Sequence, residues 1–304
     1  MTRDARKLRL GSVSYLNARP LIYGLDRDPR VQLHLEVPAR LLDGLRADRF
    51  DVALLPVIDY QRLDNLIIIP AGGIGSDGPT LTVRLFSKAP LKQIRSLACD
   101  PDSHTSVALA RIILARRYDL RPELIDLSRA TDAPDQARLL IGDKVVCEMP
   151  QGFGVQLDLG GEWKAMTGLP FVFATWMGRA DSNHRDTREL LTTAKQKGLA
   201  HIDDIIRTHA LPRGWPAELA RQYLTTNLHF DIGPRELDAI RLFHAIAADV
   251  YLRTSLVTRK HPALGTKETD RAVYLPSTYW YATGRDSALE RQVAKQVQHV
   301  LARK

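Results

Sequence analysis

The chain is 304 residues long, 44% apolar and 26% charged, with a formal net charge of +8. That length suits one large domain or two lobes of roughly 100 to 200 residues each, and the composition excludes collagen-like, mucin-like and wholly disordered classes. Ten basic residues meet four acidic ones in residues 253–304, so the rest of the chain is nearly balanced and offers no basic face for nucleic acid.

Leu8 to Val13 reads as a strand, Ala18 to Leu25 as a helix, Val31 to Val37 as an alternating strand, and Pro38 to Ala47 as a helix opened by proline. Asp51 to Leu55 is apolar on both faces, the pattern of a parallel sheet covered on both sides. Leu66 to Pro70 leads into a glycine-rich stretch, residues 71–79, which reads as a turn before a long strand at Thr80 to Ser87. A second series follows: a strand at Ile94 to Cys99, a helix at Thr105 to Tyr118, a strand at Leu124 to Leu127, a helix near Pro134 to Leu140, and a strand at Lys144 to Met149. It ends with a strand at Leu169 to Met177, before a helical region from about Asn183 to Tyr251. A final amphipathic helix is expected after Ser287, with Leu289, Val293, Val297, Val300 and Leu301 on one face.

This order predicts an α/β chain of two lobes with a ligand cleft between them, beyond the carboxyl ends of the strands. Lobe 1 is expected to hold residues 1–88 and 179–252, lobe 2 residues 89–178, and residues 253–304 form a basic extension. No run of about 18 apolar residues is available to cross hydrocarbon. Residues 1–7 enter a strand-like run without a signal-peptide core, so the expected location is cytoplasmic. Cys99 and Cys147 are too few for a disulfide framework, and the nine histidines lack metal-ligand spacing. Neither metal nor cofactor is expected.

Two segments set small polar residues after a strand and before a helix: Ser14-Tyr15-Leu16-Asn17, and Ser103-His104-Thr105-Ser106. Backbone N–H groups at a helix start attract anions, by about 0.3–1 kcal/mol for a nearby negative charge. Ser14 or Asn17 equally reads as a plain N-cap. Two such starts, one per lobe, suit a small dicarboxylate. Ser76-Asp77-Gly78-Pro79 with Thr80 and Thr82 adds hydroxyls at the lobe junction, and Asp143 closes an apolar run. A Walker loop, a Gly-x-Gly-x-x-Gly, a Gly-x-Ser-x-Gly elbow and an obvious acid pair are all missing, against phosphate-cofactor and hydrolase chemistry.

Taken together, several segments resemble the chorismate dehydratase family. They are Ser14-Tyr15-Leu16-Asn17-Ala18-Arg19-Pro20-Leu21, Asp77-Gly78-Pro79 with Thr82, Thr105-Ser106-Val107, Leu140-Ile141-Gly142-Asp143, Asp158-Leu159-Gly160 with Trp163, and Thr167-Gly168-Leu169-Pro170-Phe171-Val172-Phe173-Ala174. The resemblance implies the two-lobed fold of type II periplasmic binding proteins, with chorismate between the lobes and water eliminated to give 3-[(1-carboxyvinyl)oxy]benzoate on the futalosine route to menaquinone. It implies Asn17 and Thr82 as the catalytic pair. Substrate contacts are expected from Ser14, Ser76, Gly78, Ser103, Thr105, Ser106 and Asp143. Neither Asn17 nor a hydroxyl has the pKa of a base, so the expected base is the substrate's own enolpyruvyl carboxylate, with Asp77, His104 or Asp143 as alternatives. Thr82 stands where the family pattern has serine, and His104 where it has arginine. A non-catalytic anion-binding protein of the same fold and dihydroxynaphthoate synthase are the rival readings, with a DNA-associated regulator third.

Overall fold

The computed structural model describes residues 6–100, 103–148 and 151–260, with side chains described as far as residue 250. The chain lays down β1 (Leu8–Val13), β2 (Val31–Glu36), α1 (Pro38–Arg46), β3 (Val52–Pro56) and β4 (Leu66–Ser76). It then crosses to β5 (Val83–Ser87), β6 (Ser96–Cys99), α2 (His104–Arg117), β7 (Glu123–Asp126), β8 (Gln136–Ile141), α3 (Asp143–Cys147), β9 (Val155–Asp158) and α4 (Leu159–Thr167). After returning as β10 (Phe171–Arg179), it continues through α5 (Arg185–Ala200), α6 (Ile202–Ile205), α7 (Ala217–Gln222) and α8 (Pro234–Lys260).

Among the described residues the strands form two five-stranded sheets, in the orders β2-β1-β3-β10-β4 and β7-β6-β8-β5-β9. Central β3 is buried along its whole length, which its apolar Val-Ala-Leu-Leu sequence permits. Both sheets are mixed rather than all-parallel: β10 runs antiparallel between β3 and β4, and β5 antiparallel between β8 and β9. The chain therefore passes between sheets twice, at residues 77–82 and 168–170. These passages lie earlier than the boundaries expected at 88 and 178, because β5 pairs in the second sheet and nearly all of β10 in the first. Helix α8 likewise runs past the expected boundary at 252, while the amphipathic helix expected after Ser287 lies outside the described residues.

Two expectations fail for identifiable reasons. Residues 136–147 are strand then helix, the reverse of the expected order, because short apolar runs carry no decisive period. The glycine-rich stretch is no turn: it continues β4 to Ser76, and its missing side chains admit a neighbouring segment. The Gly75 N–H donates to the His229 carbonyl at 3.0 Å and its carbonyl accepts from the His229 N–H at 2.9 Å, while a Cβ on Gly75 would stand 2.6 Å from the His229 ring.

Trp163 of α4, Phe171 of β10 and Phe243 of α8 meet edge to face, with centroids 5.1 to 6.0 Å apart. The Trp163 indole donates to the Pro170 carbonyl at 2.9 Å, and Thr167 Oγ1 accepts from the Leu169 N–H, which fixes the second passage. No helix among the described residues is long and apolar enough to cross a membrane.

Also on α8, fully buried His244 donates from Nε2 to the Val57 carbonyl at 2.9 Å and stacks on Tyr60. Desolvation pushes its pKa from the ordinary 6.5 down to about 4. The unfolded chain therefore binds this proton first as pH falls, so stability is intact above about 6.5 and declines from there toward pH 4, by about 3 kcal/mol. Urea denaturation at pH 7 and pH 4.5 should show a smaller acid loss for His244→Gln than for wild type; an equal loss would remove His244 as its cause.

Candidate active site

A cavity of about 590 Å³, counting the open space at its mouth, lies between the sheets where β1, β3 and β8 end and α2 begins. Its size is that of a small-molecule pocket. Much of its wall is apolar, with Val13, Leu54, Ile74, Val83, Ile141 and Phe173, and its polar side chains are Tyr15, Asn17, Thr82, Ser103, His104, Thr105 and Ser106. Among the described lining residues none is a carboxylate.

Asn17 and Thr82 reach the cavity from opposite sheets. Asn17 sits in a 3-10 turn, Leu16–Ile22, where an α-helix from Ala18 was expected; Pro20 lies inside it and the chain stays tightly wound. Asn17 Oδ1 is buried without a partner. Thr82 stands at the end of the first passage. Asp158, at the N-terminus of α4, shapes that passage by accepting from the Thr80 and Leu81 N–H groups at 2.8 Å each, and also from the Gly160 and Gly161 N–H groups at 3.1 Å each. Leu81 takes a left-handed φ of 70° there, which those bonds support. Gly160 packs so closely beneath the passage that a Cβ on it would lie 2.6 Å from the Gly78 carbonyl oxygen.

The Thr82 hydroxyl is 2.7 Å from the hydroxyl of Tyr223, a fully buried residue that opens the π-helical segment Tyr223–Asn227. Burial raises the Tyr223 hydroxyl above the usual phenol range, by more than its hydrogen bonding with Thr82 lowers it. Nothing in the sequence marks Tyr223, which belongs to no motif and lies in a helical region far along the chain.

At the opposite wall α2 presents its N-terminus, and its Ser103 N-cap makes no side-chain capping bond. The first N–H groups of that helix have no intrahelical partner and favour an anion. Thr105 Oγ1 accepts from the Ile58 N–H at 3.3 Å, tying α2 to the first sheet. His104 Nδ1 lies 3.0 Å from Asp59 Oδ1 and 3.0 Å from Arg62 Nη1, with Asp59 wholly buried.

The structure thus gathers Asn17, Thr82, Ser103, Thr105 and Ser106 and leaves Ser14, Ser76, Gly78 and Asp143 outside the lining. Ser14 is exposed, and its carbonyl accepts from Arg19 at 2.8 Å and Arg213 at 3.1 Å. Ser76 is buried, and Gly78 turns the passage with a φ of 142°. Asp143 accepts from the Trp215 indole at 2.9 Å and pairs with Arg213 at 3.6 Å. Asp77 is tied to Lys164 and Arg235, and the Lys164 bond holds its carboxyl below the ordinary range. Among the described residues no group of three or more His, Cys, Asp or Glu is placed to hold a metal ion.

A sequence model of the family described as menaquinone biosynthesis matches residues 8–249. The chain is 29% identical over 238 residues to the chorismate dehydratase of Thermus thermophilus, covering 71% of this chain and 86% of that one. It is 24% identical over 242 residues to the chorismate dehydratase of Campylobacter jejuni, covering 77% and 94%. Among solved structures, a protein from Archaeoglobus fulgidus superposes with a TM-score of 0.62 at 16% identity, over 84% of this chain and 100% of the other. The periplasmic aliphatic sulphonate binding protein SsuA of Escherichia coli superposes with a TM-score of 0.58 at 15% identity, over 83% and 88%. Those two likenesses show the fold, that of the periplasmic binding proteins. From the match across residues 8–249, with both sheets inside it, the chain belongs to the menaquinone biosynthesis family.

Proposed function

We propose that this enzyme is a hydro-lyase that eliminates water from chorismate to give 3-[(1-carboxyvinyl)oxy]benzoate. The observation that carries the reading is the cavity between the sheets, where the amide of Asn17 and the hydroxyl of Thr82 face a helix N-terminus and none of the described lining residues is a carboxylate. Such a lining suits a small dianion with a flat ring: apolar walls for the ring, N–H and hydroxyl donors for the carboxylates.

The chemistry asks little of a protein base. The proton on the ring carbon bearing the ether is acidified through conjugation with the ring carboxylate. Its departure, with loss of the neighbouring hydroxyl and that bond's electron pair, leaves an aromatic ring and one water. Aromatisation drives the step, so the protein's work is to hold the geometry and stabilise the departing hydroxide. Asn17 and Thr82 supply polar contacts at the ring, and Ser103, Thr105 and Ser106 hold a carboxylate. The enolpyruvyl carboxylate of the substrate takes the proton: Asp77 and Asp143 are engaged in bonds outside the lining, and His104, the alternative base that does line the cavity, has its Nδ1 engaged with Asp59 and Arg62. The two sheets act as lobes that close about the passages at 77–82 and 168–170 and exclude water.

The test is to mix the purified protein with chorismate and follow the product by mass and ultraviolet absorbance. A product lighter by one water, with a benzoate-like spectrum, is expected. Chorismate that binds and stays intact would favour an anion-binding protein instead. Asp143→Asn and His104→Ala should both keep turning over; loss of turnover in either with binding retained would contradict a substrate-derived base.

A further inference from the structure

We infer that Asp143 is a positioning residue: with Trp215 it clasps the lobe of the second sheet to the lobe of the first, holding the two closed over the cavity from beyond its rim. The clasp stands on geometry, and only its kinetic consequence rests on the proposed reaction.

The helical region that follows β10 stands on the first lobe, where Tyr23 donates to Asp204 at 3.0 Å and Arg213 donates to the Ser14 carbonyl at 3.1 Å. Asp143 belongs to the other lobe and opens α3 directly after β8. Between the two, the Trp215 indole donates to Asp143 Oδ1 at 2.9 Å, and Arg213 Nε faces Asp143 Oδ2 at 3.6 Å. The Cys147 thiol, at the far end of α3, donates to the Arg213 carbonyl at 3.1 Å. Trp215 is buried, so water does not replace the acceptor if Asp143 moves away.

This clasp joins the stretch of wall that carries Thr82. Ile141 and Gly142 line the cavity, and the Gly142 N–H donates to the Thr82 carbonyl at 2.8 Å. Trp215 stacks on Tyr223 at a centroid distance of 5.1 Å, and the Tyr223 hydroxyl is 2.7 Å from that of Thr82. Two stacked rings of the first lobe thus grip the second at two points, Asp143 and Thr82. Asp143 itself lies outside the lining, so it acts on the ligand through lobe closure and not by contact.

Asp143→Leu keeps the size of the side chain and removes the acceptor. It should raise KM for chorismate about tenfold, the scale of one hydrogen bond to a charged acceptor, because the ligand must then supply the closure itself. Its kcat should change by no more than about threefold, since a ligand held by both walls still brings the lobes together. Asp143→Asn keeps an acceptor for the indole, and its KM should stay within about twofold of wild type. Trp215→Phe keeps a ring on Tyr223 and removes the donor; it should raise KM on the same scale, and adding Asp143→Leu to it should raise KM little further. A KM in Asp143→Leu within about twofold of wild type, a rise as large in Asp143→Asn, or rises that multiply in the double variant would overturn the inference. A second readout needs no turnover. The Ile58 N–H is bonded to Thr105 across the gap between the lobes, so its hydrogen exchange should quicken about tenfold in Asp143→Leu and keep its wild-type rate in Asp143→Asn. Exchange at Ile58 unmoved by Asp143→Leu also overturns the inference, since a bond that merely shaped α3 would leave it alone. The expected exchange in a protein that leaves chorismate intact would uphold the clasp and contradict the proposed reaction.

Discussion

Replacing Thr82 by valine should lower kcat for water elimination on the order of 100- to 1,000-fold while leaving a folded protein. Valine matches threonine in shape, so the buried site keeps its packing and loses only a hydroxyl bonded to Tyr223 at 2.7 Å. The stability cost is about 1–3 kcal/mol, because the buried Tyr223 hydroxyl loses its Thr82 partner, which a chain of this size tolerates. The catalytic cost is larger because the hydroxyl acts in a water-poor cavity on charge that develops only as hydroxide departs. Asn17→Ala should fall into the same range. If steady-state kinetics of either variant matched wild type, the catalytic pair would lie elsewhere in the molecule. Thr82→Ser should retain most of the activity, since the donor survives.

The second large effect is structural at its origin and catalytic in its outcome. Gly160→Ala should lower the melting temperature by about 5 °C, the consequence of overpacking by about 2 kcal/mol. A Cβ at Gly160 would lie 2.4 Å from Thr80 Cγ2, 2.6 Å from the Gly78 carbonyl oxygen and 2.8 Å from Ser76 Oγ. Backbone cannot swing aside as a side chain can, so residues 78–80 must move, and Thr82 sits two residues further along. Activity should therefore fall with stability. The neighbouring Gly161→Ala supplies the control: there a Cβ would meet Pro79 Cγ at 3.6 Å, an ordinary contact, and alanine is the better helix former. Thermal melts and kcat that failed to separate the two alanines would remove the passage at 77–82 as the element that places Thr82.

The strands of the first half were legible because their apolar residues lack any helical alternative; Val52 to Leu55 has too few residues for a buried helix and no polar face for a surface one. Residues 136–147 were not, since a run such as Ala-Arg-Leu-Leu-Ile fits one strand or about one and a half helical turns, and its pairing with β5 and β6 decides the matter from far along the chain. The same holds for the glycines at 71–76, which announce flexibility locally but make room for residues 229–232. In the site, Asn17, Thr82 and the start of α2 are polar positions near strand ends that local sequence brings to notice, while the choice of Asn17 and Thr82 as the catalytic pair rests on the family resemblance. Local sequence does not bring Tyr223 to notice. Its importance comes from a burial and a hydrogen bond formed across 141 residues of chain. Asp158 was visible as part of a motif, yet its work of holding the Thr80 and Leu81 N–H groups is seen only once β9 lies beside β5.

The most direct measurement of the central claim is a crystal structure of the protein with 3-[(1-carboxyvinyl)oxy]benzoate bound. The benzene ring should lie in the cavity between the two sheets, with Asn17 and Thr82 within hydrogen-bonding distance of the position vacated by the hydroxyl, and one carboxylate on the first N–H groups of α2. Density for the product outside that cavity, or inside it with Asn17 and Thr82 turned away, would contradict the account.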